Sequence, residues 1–150
     1  MSAYRSILVG TDGSETARTA VDHAIELAQV TRASLMLVSA FEPVGGERVR
    51  SQALEAPADA QWLVGPREDV LALLDGVAKL AHDAGVVDVR SFARQGDAAD
   101  AIIDVAEETG VDLIVVGNKG MTGARRFLLG SVPNKVSHHA PCSVLIVRTT

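Results

Sequence analysis

Apolar residues along the chain fall into two alternating kinds of run, short blocks that are apolar throughout and longer stretches in which they return every three or four positions. Ser6-Ile7-Leu8-Val9-Gly10 and Ser34 to Ala40 (SLMLVSA) are of the first kind and read as strands buried on both faces. Between them Ala17, Ala20, Val21, Ala24, Ile25, Leu27 and Ala28 predict a helix with one apolar face, capped by Asp12 or Ser14. Val70, Leu71, Leu73, Leu74, Val77, Leu80 and Ala81 predict a second helix, with Gly85 as its stop. Val87 to Ala93 alternates, as suits a strand at a sheet edge, and Gly96-Asp97 then turns into a helix carrying Ala98, Ala101, Ile102, Val105 and Ala106. Asp112 to Val116 is a fourth strand, a last helix begins near Ser131, and Ser143 to Val147 forms a fifth strand.

Strands alternating with amphipathic helices imply right-handed βαβ units, so the expected fold is α/β, a doubly wound parallel sheet with helices on both faces. Residues 1–150 read as a single domain, with no linker between folding units and no solenoid repeat. Only Glu42 to Pro66 lacks periodicity, and it gathers Gly45, Gly46, Pro57 and Pro66. A connection of that length is usually functional or disordered, and a lid role for it stays open.

Composition narrows the classes of function. At 47% hydrophobic the chain can bury one substantial core, and its net charge of −5 leaves no basic footprint for nucleic acid. With one tryptophan and one tyrosine there is no aromatic platform for stacking bases either. No stretch approaches the roughly 20 apolar residues of a membrane span, and the N-terminal apolar run is too short for a secretory signal. The expectation is a soluble, cytoplasmic protein. Its one cysteine, Cys142, lies between Pro141 and SVLIV, where it reads as a small buried hydrophobe rather than a reactive thiol.

In doubly wound sheets ligands bind beyond the carboxyl ends of the strands, where the winding reverses. Two loops occupy such places: Gly10-Thr11-Asp12-Gly13-Ser14 after the first strand and Gly117-Asn118-Lys119-Gly120 after the fourth. Further on, Gly130-Ser131 opens a helix whose N–H groups and positive dipole end suit a phosphate, with Ser131 as the expected N-cap. The pattern is not a Walker loop, and no Gly-x-Gly-x-x-Gly follows the first strand.

These residues resemble the universal stress protein family, in the branch that binds ATP. The resemblance runs over nearly the whole chain: the first-strand Gly10-Thr11-Asp12-Gly13-Ser14, Gly96 after the third strand, Gly117-x2-Gly120-x9-Gly130-Ser131, and the ending His139-Ala140-Pro141-Cys142 to Val147. It implies a Rossmann-like five-stranded sheet in the order 3-2-1-4-5 and a cleft for an adenine nucleotide. It also implies that Thr11 and Asp12 line the nucleoside side and that Ala40 offers backbone groups to the adenine edge. Val116, Gly117 and Gly120 would follow ribose and first phosphate, and Gly130, Ser131 and Val132 the outer phosphates. Mg2+, where present, would be held by phosphate oxygens and water rather than by a protein cage. After Gly96 the chain reads Asp97-Ala98-Ala99, where many relatives place a proline, so the geometry of that loop is open.

Plainer roles stand beside these. Asp12 can be a helix cap only, and Gly117 and Gly120 turn residues only. Lys119, Arg125 and Arg126 are candidate phosphate clamps, Arg125 first among them, or else solvated loop charges. His138 and His139 are neighbours and point apart on a helix, while His23 and His82 lie on other helices, so no metal cluster is expected. The leading expectation is an ATP-binding regulatory module, homodimeric through the edge strand Ser143 to Val147. Against it stand a slow ATPase or phosphotransferase using the same cleft, and a module for another nucleotide such as a cyclic one, or for none.

Overall fold

The computed structural model describes residues 4–41, 67–118 and 130–149. Within them lie β1 (Ser6–Gly10), α1 (Glu15–Thr31), β2 (Ser34–Phe41), α2 (Arg67–Asp83), β3 (Val89–Gln95), α3 (Ala98–Thr109), β4 (Leu113–Gly117), α4 (Ser131–His139) and β5 (Ser143–Val147). The strands form one parallel sheet in the order β3-β2-β1-β4-β5, the expected 3-2-1-4-5. In the centre Ile7, Leu8 and Val9 lie beside Leu35, Met36 and Leu37 on one flank and beside Leu113, Ile114 and Val115 on the other.

Strand alternation divides the core into two halves. Ile7, Val9, Leu35, Leu37, Leu113 and Val115 point to one face, where they meet Ala20, Val21, Ala24 and Ala28 of α1 and Val70, Leu74, Val77 and Ala81 of α2. Leu8, Met36, Val38, Ile114 and Val116 point to the other, against Ala98, Ile102 and Val105 of α3 and Val132 and Val136 of α4. The alanines on α1 and α3 let both helices lie close to the sheet. Leu71 and Leu80, expected on the apolar face of α2, lie at its rim, 37% and 39% exposed.

Caps set the helix limits. Ser14 is the N-cap of α1, its Oγ accepting from Ala17 N at 3.2 Å, and Asp97 is that of α3, accepting from Asp100 N at 3.0 Å. At the far end of α1, Arg32 takes the left-handed conformation (φ 58°) that glycine usually supplies.

β3 begins two positions later than the Val87 expected, because Asp88 is used otherwise. Its carbonyl accepts from Leu35 N at 2.9 Å and its carboxylate from Ser34 Oγ at 3.0 Å, fastening the amino end of β2. Val87, 91% exposed, belongs to the turn. Asp112 does the same for β1, its Oδ2 accepting from Arg5 N at 2.7 Å and Ser6 N at 3.1 Å, so that β4 starts at Leu113 rather than Asp112. Among the described residues no helix is long and apolar enough to cross a membrane.

Candidate functional site

The winding reverses between β1 and β4: the helix after β1 packs on one face of the sheet and the helix after β4 on the other. Beyond the carboxyl ends of these two strands lies a depression lined by Gly10, Thr16, Ala17, Val116, Gly117, Val132 and Pro133. The ends of both strands and the first turns of α1 and α4 therefore meet there.

On the β1 side the loop is held by its own side chains. Thr11 is buried, donates its N–H to Val38 O at 3.0 Å and accepts Gly13 N on its Oγ1 at 3.2 Å. Asp12 Oδ1 accepts from Ser14 N at 2.9 Å, which sets its carboxylate in an Asx turn just ahead of α1. Ser14, not Asp12, caps the helix, so the two residues divide the roles left open in the sequence. Gly13 needs its φ of +85°, and a Cβ there would stand 3.4 Å from Leu73. Ala40 is buried near the end of β2, in the same apolar cluster as Val116 and Val132, and does not line the depression.

On the β4 side, a Cβ on Gly117 would come within 3.1 Å of the Thr149 methyl and 3.5 Å of Thr16 O. The absence of a side chain at Gly117 is thus already required by chain packing. Asn118, which the sequence reading passed over, is a buried junction. Its N–H donates to Val147 O at 2.9 Å, its carbonyl accepts from Gly130 N at 3.4 Å, and its Oδ1 accepts from Thr149 N at 2.9 Å and Thr149 Oγ1 at 2.8 Å. Its only signal in the sequence is a polar residue placed directly behind a buried strand.

α4 opens differently from the other capped helices. Its N-cap is Gly130 (φ −65°, ψ 168°), with no side-chain capping bond, and Ser131 is the first helical residue rather than the cap expected. Pro133, in the first turn, brings no N–H, which suits a position where that group has no partner within the helix. A helix start without a side-chain cap leaves room for an anion to take the cap's place.

Beside this start, Lys135 Nζ lies 2.7 Å from Asp100 Oδ1 and 3.4 Å from Asp97 Oδ2, tying α4 to the first turn of α3. The hydrogen bond it donates to Asp100 and the charges of Asp97 and Asp100 hold its ammonium above the usual lysine range, although desolvation pulls the other way. Just before β5, partial burial and the Asp112 carboxylate push the Cys142 thiol above its ordinary value, against a backbone hydrogen bond at Ile114. Among the described residues no group of three His, Cys, Asp or Glu is placed to hold a metal ion.

The structure thus brings together Gly10, Val116, Gly117 and Val132, with Thr11 and Asp12 adjoining through the β1 loop and Gly130 and Ser131 through the start of α4. Gly120 and Arg125 lie outside the described residues, as do Lys119, Arg126 and the 42–66 connection.

A crevice at the switch point of a five-stranded doubly wound sheet, with a helix start beside it, defines the class: a Rossmann-like α/β domain. The chain belongs to the universal stress protein family, whose model matches residues 3–148. It is 37% identical over 150 residues to the universal stress protein Rv1636 of Mycobacterium tuberculosis H37Rv, covering 100% of each chain. It is 36% identical over 151 residues to the putative universal stress protein SH1215 of Staphylococcus haemolyticus, covering 99% of this chain and 87% of that one. Among solved structures, a universal stress protein crystallised in complex with cAMP superposes with a TM-score of 0.74 at 32% identity, over 99% of this chain and 100% of that one.

Proposed function

We propose that this chain is an adenine-nucleotide-binding regulatory module of the cytoplasm, with ATP as its ligand, and that the β1/β4 crevice is the binding site. The observation that carries the reading is the start of α4: a helix whose N-cap is a glycine without side-chain capping, its first turn lining the depression at the switch point. Thr11 and Asp12 would hold the nucleoside side, with Ala40 offering backbone groups to the adenine edge. Val116, Gly117 and Gly120 would follow the ribose and first phosphate, and Gly130, Ser131, Val132 and Arg125 the outer phosphates. Mg2+ would accompany the nucleotide through its phosphate oxygens. Gly130 itself directs its N–H back to Asn118, so its own amide is not among those offered to phosphate.

A cyclic nucleotide is the second reading, favoured by the whole-length likeness to the protein crystallised with cAMP. The two are separated by isothermal titration with ATP, ADP, AMP and cAMP under the same conditions. Tightest binding of ATP supports the first, tightest binding of cAMP replaces it, and no heat with any of the four overturns both. Phosphate release at saturating ATP and Mg2+ tests for an enzyme; turnover near about 1 per second is typical of dedicated catalysts and would change the class.

The module would work as a dimer. β5 is an edge strand on which Leu145 is 38% exposed, and uncovered edges invite pairing with a second copy.

A further inference from the structure

The nucleotide reading leaves unexplained why a buried asparagine stands directly behind β4 with both hydrogen bonds of its side-chain oxygen going to residue 149. Asn118 Oδ1 accepts from Thr149 N at 2.9 Å and from Thr149 Oγ1 at 2.8 Å, while its main chain reaches Val147 O on one side and Gly130 N on the other. One residue therefore touches the end of β4, the end of β5, the chain beyond β5 and the N-cap of α4. The Thr149 methyl completes the arrangement by filling the space over Gly117, 3.1 Å from where a Cβ would be.

We propose that Asn118 and Thr149 form a clasp that makes the segment following β5 a positioning element of the nucleotide site. A carboxamide oxygen has two lone pairs, and here both are filled by one partner residue, so the Asn118 side chain has a single defined orientation. With the side chain held, the main-chain carbonyl of Asn118 stays directed at Gly130 and keeps the start of α4 at a set distance from the ends of β4 and β5. The clasp does not touch ligand. It acts on the part of the site that meets phosphate, because Gly130 is the N-cap of the helix whose first turn lines the depression. Loosening it should therefore weaken phosphate-bearing ligands and spare the nucleoside, which the β1 loop meets through Thr11 and Asp12. This inference rests on the nucleotide reading above.

The test is isothermal titration of the full chain with ATP and with adenosine, each variant first checked for a native circular dichroism spectrum. Asn118→Ala removes the acceptor and should lower ATP affinity about tenfold while adenosine affinity stays within about twofold, a size suited to losing buried hydrogen bonds. Residue 149 supplies a series that does not disturb the buried position. Thr149→Ser keeps both donors and should bind ATP as the wild type does. Thr149→Val keeps the methyl and the N–H and should lose part of the affinity, and deletion of residues 149 and 150 should match Asn118→Ala. Should Asn118→Ala fail to fold, this series decides alone. Equal losses of ATP and adenosine, or wild-type affinity for both in folded variants, would overturn the clasp and leave the nucleotide reading standing. A wild-type chain that binds neither ligand overturns the reading itself, and the clasp with it.

Discussion

Lys135 on α4 reaches two carboxylates of the first turn of α3, Asp100 at 2.7 Å and Asp97, the N-cap of that helix, at 3.4 Å. One cation thus joins the start of the helix after β3 to the helix that opens on the crevice. Because its partners raise the lysine's pKa on folding, the stabilisation is fully present below the ordinary lysine value and is lost as pH climbs through the raised one. Lys135→Met should therefore melt below the wild type by a constant margin from neutral pH upward, and the margin should close above about pH 10.4. All three side chains are between 43% and 57% exposed, so added salt should shrink the margin too. Paired melting curves across pH and salt check both; a margin that widens in alkali would contradict this account.

Cys142 offers a second titration. Partial burial first, and the Asp112 carboxylate second, hold its thiol above the ordinary value, so little thiolate exists at neutral pH. Alkylation by iodoacetamide at pH 7 should be slower than that of glutathione and should rise steeply in alkali. Asp112→Asn keeps an oxygen for Arg5 N and Ser6 N but removes the charge, and should speed alkylation at pH 8 without unfolding the chain. The folding linkage has the same sign as for Lys135: a raised pKa means stability lost as pH rises through it. Equal rates in variant and wild type would leave burial as the sole cause.

The alternation of apolar blocks and helical periods was enough to read all five strands, the helices between them and the α/β class, because each element buries a face whose period is its own signature. The strand order came from the resemblance to a family and not from periodicity. What failed was local. Asp88 and Asp112 look like polar residues at the start of strands, second and first in theirs, yet each spends its side chain on the amino end of the neighbouring strand, a pairing between residues distant in sequence. Ser131 has the chemistry of a cap but sits one place inside the helix, because Gly130 already has the extended backbone a cap needs. Asn118 was invisible for the same reason as Asp112: its partner, Thr149, is brought to it only by the pairing of β4 with β5.

The edge strand gives a test of assembly that its burial pattern refines. Val144 and Ile146 pack against the cluster under α3 and α4, whereas Leu145 faces the opposite way and is the more exposed. A charge at Ile146 would damage core and contact together, so Leu145→Lys is the cleaner variant. If two copies meet along β5, light scattering should give a dimer for the wild type and a monomer for Leu145→Lys, with similar melting temperatures apart from the contribution of the contact. A wild type that stays monomeric at high concentration removes the dimer from the proposal.

Asp12 decides whether the β1 loop recognises a ligand or only shapes itself. Its Oδ1 accepts from Ser14 N, while Ser14 Oγ caps α1 through Ala17 N, so loss of Asp12 leaves the helix capped. Asp12→Asn keeps an oxygen acceptor for Ser14 N and changes only charge and one side-chain atom; Asp12→Ala removes the acceptor as well. If the carboxylate serves only the turn, Asn should match the wild type in every respect, and Ala should lose about 1 kcal/mol of stability with no selective effect on ligand. If it meets the nucleoside, Asn should already weaken ATP, AMP and adenosine alike, since all three share that part, while the melting temperature barely moves. The common loss across three ligands separates Asp12 from the start of α4, where losses should grow with the number of phosphates. Titration of both variants with the three ligands, beside their melting curves, gives the answer: wild-type affinities in folded Asp12→Asn would return this residue to a turn and take the nucleoside end of the site away from the β1 loop.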